Sequence, residues 1–115
     1  MAKPGEQKLK HLFQLGRIGK FPTKNRIKYG ACCVSNYNTR DGFITERELA
    51  RTKIIAATGC GLITNQGAYP DPLGEGKAYF RQIALFDDKF LPQFETIAGY
   101  IHDAGAIAIQ QILHA

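Results

Sequence analysis

No stretch of this sequence holds the roughly 18 consecutive apolar residues needed to cross a bilayer. The lysines near its N-terminus are not followed by the apolar segment of a secretory signal. Cysteine is scarce: Cys32, Cys33 and Cys60 cannot close a disulfide framework and include no C-x-x-C pair for zinc, so no metal site is predicted. A reducing cytoplasm is the expected compartment. G-x-x-x-x-G-K-[ST] is absent, and no G-x-G-x-x-G follows a strand pattern, so no phosphate cradle is predicted. Gly59-Cys60-Gly61 precedes a strand rather than following one. There is no carboxylate pair, serine elbow, internal repeat or low-complexity segment. With 115 residues the chain has room for one domain, but not for the roughly 200 to 250 residues of a closed (β/α)8 barrel.

What is present is a globular mix, 44% hydrophobic and 22% charged, rather than a disordered composition. Charge is uneven. Residues 1–28 carry eight basic groups against Glu6, whereas 29–115 are slightly acidic. Such an arm can meet nucleic acid, an acidic cofactor or an acidic partner. Its only aromatics, Phe13 and Phe21, make no stacking platform, so a solvated segment is the expected reading and nucleic acid is not an expected partner.

Residues 1–11 read as a flexible basic lead-in, and 12–115 as the folded part. Leu12 to Phe21, interrupted by Gly16 and Gly19, suits a small β-hairpin, with turn chemistry at Pro22–Asn25. Arg26 to Val34 reads as a strand and 35–42 as a loop. Thr45 and Glu48 form a capping-box pattern ahead of a helix whose apolar members are Leu49, Ala50, Ile54, Ala56 and Ala57. Cys60–Thr64 is a short apolar run suited to a strand buried on both faces. A long loop from Gly67 to about Phe86 follows, its length suggesting function. Asp87-Asp88 then caps a turn, and a helix starts at Pro92 with Phe94, Ile97, Ala98 and Ile101 as its buried stripe. Gly105 ends it, and Ala106–Leu113 is a third strand. The order hairpin-β-α-β-α-β predicts an α/β fold with a parallel sheet and right-handed crossovers.

Ligands of such folds gather at the carboxyl ends of the strands. Three segments therefore become candidates. Cys32-Cys33 could pack, ligate, or sit against a redox ring, with packing favoured for isolated thiols. Gly67, after Asn65-Gln66, either lets a flat ligand approach the backbone or makes a plain turn. Of Gln110 and Gln111, one should face inward, where an amide can both donate to and accept from a heteroaromatic edge. His114 alone is more often structural than catalytic.

Taken together these segments resemble the N-terminal part of the Old Yellow Enzyme family of flavin-dependent oxidoreductases, over about Leu12 to Ala115. Leu12-Phe13, Ile18-Gly19 and Lys24-Asn25-Arg26-Ile27 are similar to the family's opening L-F…I-G…K-N-R-[IV]. Gly61-Leu62-Ile63-Thr64-Asn65-Gln66-Gly67 resembles G-L-I-x-[TS]-E-[GA], and His102-x-x-Gly105 with Gln111-x-x-His114 resembles H-x-x-G…Q-L-x-H. The pieces look closest to the branch with 2,4-dienoyl-CoA reductase and trimethylamine dehydrogenase. Relatives often have Ala-Pro at Gly30-Ala31 and Glu at Gln66.

The resemblance implies the first strands and helices of a (β/α)8 TIM barrel preceded by a β-hairpin, incomplete in this chain. It implies FMN as cofactor, met by Ala31, Cys32 and Cys33, by Gly67, and by Gln111 on the pyrimidine edge, with His114 structural. It implies NAD(P)H as donor, with any 4Fe-4S cluster and FAD outside this chain, and hydride transfer to an activated C=C bond of an enoyl-, dienoyl- or aryl-CoA-like substrate. No catalytic residue is expected within this chain. Its expected partner is the remainder of the barrel, from the same full-length protein or another chain, in an oligomer. The rival readings are a non-catalytic scaffold or interface subunit, and a small redox domain using Cys32-Cys33.

Overall fold

The computed structural model describes residues 8–115. Most of the basic lead-in, residues 1–7, lies outside the described residues. Leu12 closes a turn onto Leu9, and the Arg26 amide donates to the Leu12 carbonyl. The hairpin comprises β1, Gly16–Ile18, and β2, Phe21–Thr23, paired antiparallel with Gly16 opposite Thr23. Its turn falls at Gly19, whose φ of +56° meets the left-handed requirement of a two-residue connection. The turn predicted at Pro22–Asn25 is displaced, because Pro22 is accommodated inside β2 of a two-stranded ribbon.

The sheet is parallel, ordered β3 (Lys28–Tyr29), β4 (Leu62–Ala68), β5 (Ile107–Ile112). The crossovers carry α1, Glu46–Ala56, and α2, Leu91–Asp103, the latter entered through a 3-10 turn at Asp88–Phe90. Asp87 accepts from the Lys89 amide to start that turn, and Pro92 sits in the first turn of α2, where no amide is missed. The α/β order of elements therefore matches the expectation.

Three local expectations change. The strand predicted over 26–34 pairs with β4 only at Lys28 and Tyr29. Beyond Tyr29 the chain leaves the ladder, and a side chain of α1 takes the Cys32 carbonyl instead. The predicted capping box does not form. Thr45 is the N-cap, but its hydroxyl donates to the Tyr37 carbonyl, and Glu48 is fully buried with Arg51 as partner. The buried face of α1 is Glu48, Thr52 and Ala56, spaced four apart, with Leu49 and Ile55 packed beside the core, while Ile54 is 70% exposed.

Strand β4 runs four residues beyond Thr64 and is buried at every position. The main core joins Ile63 to Ala56, Ile97, Ile101 and Ala106 between sheet and helices. A second, aromatic cluster joins Tyr69 and Phe90 to Phe43, Phe86 and Phe94, with Phe43 and Phe90 centroids 4.7 Å apart. It fastens the long loop back onto the end of β4: the Tyr69 amide donates to Ile83, and the Leu85 amide to Tyr69. Gly42 closes the same corner at φ +94°. A Cβ there would stand 2.9 Å from the Ala84 amide nitrogen, and the Gly42 carbonyl accepts from that amide.

The two isoleucines separate the helix faces experimentally. Ile101→Ala empties a core position and is expected to cost about 2–5 kcal/mol in urea unfolding. Ile54→Ala, on the exposed face, is expected to stay within about 0.5 kcal/mol. A comparable loss at Ile54 would return that residue to the core.

Candidate functional site

The carboxyl ends of β3, β4 and β5 lie side by side because the strands are parallel and adjacent. At the first, Cys32 and Cys33 are both exposed and Ala31 is half-buried. At the second, Asn65, Gln66 and Gly67 are buried. At the third, Gln110 and Gln111 point apart, as strand neighbours must. Gln110 is fully engaged: its Oε1 accepts from Asn65 at 2.8 Å, and its Nε2 donates to the Gln66 and Gln111 carbonyls. The Gln111 side chain is exposed and makes no hydrogen bond among the described residues.

Gly67 and Gln111 are brought together. A Cβ at Gly67 would lie 3.0 Å from Gln111 Oε1 and 2.6 Å from Leu113 Cβ. The missing side chain therefore lets β5 side chains settle against β4, a more specific role than a plain turn. A bulge between Asn65 and Ala68 accompanies this approach. His114 takes a structural place. Its ring occupies the space a Gly76 side chain would fill, 2.6 Å from that position, and the Ala115 amide donates to Gly76. Asp71 caps the same turn through the Glu75 and Gly76 amides.

Beneath these ends lies a buried polar cluster that the sequence patterns did not single out. Glu48 Oε1 pairs with Arg51 Nη1 at 3.2 Å, while its Oε2 is buried without a partner. Arg51 Nη2 donates to the Tyr29 hydroxyl at 3.2 Å and to the Cys32 carbonyl at 3.1 Å. The Tyr79 hydroxyl donates to Gln66 Oε1 at 2.5 Å, and Gln66 Nε2 is buried and unpaired. Burial drives the Glu48 carboxyl above the usual range against the opposing pull of Arg51. Burial, the adjacent Cys33 thiol and the Glu48 charge push the Tyr79 phenol far up, so it stays a donor. Glu48 was read as a cap; its spacing from Thr52 and Ala56 was the available signal for a buried face. Tyr79 sits in an irregular loop, where no periodicity marks it.

The exposed, unbonded Gln111 amide and the exposed thiols fit a planar heteroaromatic group at the strand ends, offering a donor, an acceptor and a soft polar neighbour. Among the described residues no cluster of three or more His, Cys, Asp or Glu could hold a metal ion, and no helix is long and apolar enough to cross a membrane.

Comparison with known proteins gives the chain relatives. The family model described as the NADH:flavin oxidoreductase / NADH oxidase family matches residues 11–115. An NADH oxidase of Thermoanaerobacter brockii is 33% identical over 105 residues, covering 91% of this chain and 16% of that protein. A 2-naphthoyl-CoA reductase in complex with 2-naphthoyl-CoA superposes with a TM-score of 0.82 at 34% identity, over 91% of this chain and 16% of that one. The old yellow enzyme homologue from Zymomonas mobilis gives 0.73 at 27%, over 90% and 28%. The chain thus spans a minor part of the length of these relatives.

The raised Glu48 value carries a sign. Between the ordinary glutamate value of about 4.3 and the higher folded one, the native state holds more protons than the unfolded state, so stability falls as pH rises through that window. Asp41 is held low chiefly by the Thr39 hydroxyl. At Asp71 desolvation pushes up, but the Gly76 and Glu75 amides and His114 outweigh it. Both act in the opposite sense, losing stability only as pH drops below about 3.9. Urea unfolding followed from about pH 4.5 upward should therefore show a decline that Glu48→Gln flattens. Equal slopes in the two proteins would mean that Glu48 ionises without penalty.

Proposed function

Because the chain belongs to the NADH:flavin oxidoreductase / NADH oxidase family, we propose that it forms the opening of an FMN-dependent (β/α)8 barrel: the hairpin, two βα units and the third strand. Ala31, Cys32, Cys33, Gly67 and Gln111 line its FMN site. The observation that carries this reading is the pairing of Gly67 with the unbonded Gln111 amide at adjacent strand ends. That amide can donate and accept along the pyrimidine edge of the cofactor. On this reading the Cys33 thiol would tune the flavin by hydrogen bonding. FMN held there would supply hydride chemistry toward an activated C=C bond, with NAD(P)H as the source of reducing equivalents. An enoyl-, dienoyl- or aryl-CoA-like substrate suits the likeness to a 2-naphthoyl-CoA reductase. This chain's residues bind and orient. The acid that would protonate the α-carbon of the alkene, and any 4Fe-4S cluster or FAD, belong to the rest of the assembly.

The rest of the barrel is the proposed partner, contributed by the same full-length protein or by another chain. A groove of about 360 Å³ supports this, lined by Ile18, Phe21, Ala106, Ile107 and Ile109, with Ile112 65% exposed beyond it. Free Cys32, Cys33 and Cys60 suit a reducing cytoplasm. The same groove also favours a second reading, an interface subunit that keeps the fold without taking part in chemistry. Turnover of the assembly with and without this chain separates the two, since full activity without it supports the scaffold.

The visible spectrum and intact masses of everything that co-purifies with the chain test the main reading. Flavin absorbance is expected, and a colourless, FMN-free complex with all partners present would count against it. Gln111→Ala should weaken FMN retention roughly 3- to 10-fold, the worth of about 1 kcal/mol of hydrogen bonding. Unchanged affinity would remove Gln111 from the site.

A further inference from the structure

Residues 31–34 bear the two vicinal thiols yet belong to no strand. Among the described residues the backbone of Gly30–Val34 accepts one side-chain hydrogen bond, from Arg51 Nη2 to the Cys32 carbonyl at 3.1 Å. Arg51 is not a free surface cation. Its side chain is 16% exposed, and its other terminal nitrogen is held by Glu48, whose side chain is wholly buried. The nitrogen that reaches Cys32 also donates to the Tyr29 hydroxyl, at the last residue still in the ladder. One planar fork thus ties together a buried carboxylate on α1, the end of β3 and the segment that departs from it. A lysine cannot reproduce this, because an ammonium is a point charge without fixed divergent donors.

We propose that Arg51 is a positioning residue: anchored on Glu48, its guanidinium holds the Cys32 carbonyl and so sets where the Cys32 and Cys33 sulfurs stand at the strand end. The functional weight of that placement rests on the flavin reading, but the placement itself is a property of this chain. The segment has two different flanks when held, Tyr29 beside Cys32 and Tyr79 beside Cys33. Released, it has neither, and the two thiols become equivalent.

The test uses the full chain without added flavin. Alkylation of each cysteine by N-ethylmaleimide is read by peptide mass spectrometry, with Cys60 as internal reference. In the wild-type protein Cys32 and Cys33 are expected to react at different rates, because they stand beside different tyrosines. Arg51→Met should bring the two rates together, leaving Cys60 unchanged. Arg51→Lys should behave like Arg51→Met, which assigns the effect to the fork rather than the charge. Equal rates in the wild type, or wild-type behaviour in Arg51→Met, would overturn the proposal. The wild-type measurement decides even where a variant unfolds. Failure to take up FMN with these results intact would sink the flavin reading and leave the clamp.

Discussion

Strand β4 takes Thr64, Asn65 and Gln66 out of water, and a buried amide left unpaired costs about 1–3 kcal/mol. Much of the neighbouring structure answers that demand, although Thr64 Oγ1 and Gln66 Nε2 stay buried without a partner. Gln110 turns toward the helices to meet Asn65, and the long loop folds back so that Tyr79 reaches Gln66. Gln82, itself fully buried, bonds the Gly67 carbonyl and the Ala78 amide in the same fold-back. The loop is ordered because the polar end of a buried strand needs its side chains, and the aromatic cluster under it adds apolar burial.

That demand also separates the two glutamines of β5. Gln110 is consumed in satisfying β4, which leaves Gln111 with an unused amide on the other side of the strand, close to a position where β4 has no side chain at all. Bonding capacity at a strand end, next to a bare stretch of backbone, is what a flat heteroaromatic ligand requires. The site proposed for FMN is thus the face of the β4–β5 pair that the core leaves over. The thiols reach it from a third segment held by a different device, the Arg51 fork.

The order of elements was legible because it rests on strong local signals: Gly105 ending a helix, Asp87 starting a turn, a proline tolerated at a helix start, and apolar runs separated by amphipathic ones. Strand-end candidates followed from topology, and Gly67 and Gln111 do stand together. What was not legible depended on tertiary partners. Glu48 fits a capping box by spacing alone, and only the presence of Arg51 and the packing of α1 decide that it goes inward. Ile54 looks like core by residue type, yet a rotation of the helix by one position gives that place to Ile55. The strand over 26–34 has β propensity throughout, but a ladder needs a neighbour, and beyond Tyr29 the chain bonds to a helix instead. Tyr79 carries no pattern of its own.

The contact of Gly42 with Ala84 joins the loop after β3 to the loop after β4, two connections from different βα units. Their shared fixed point means that neither can lengthen near that corner without prising the other open.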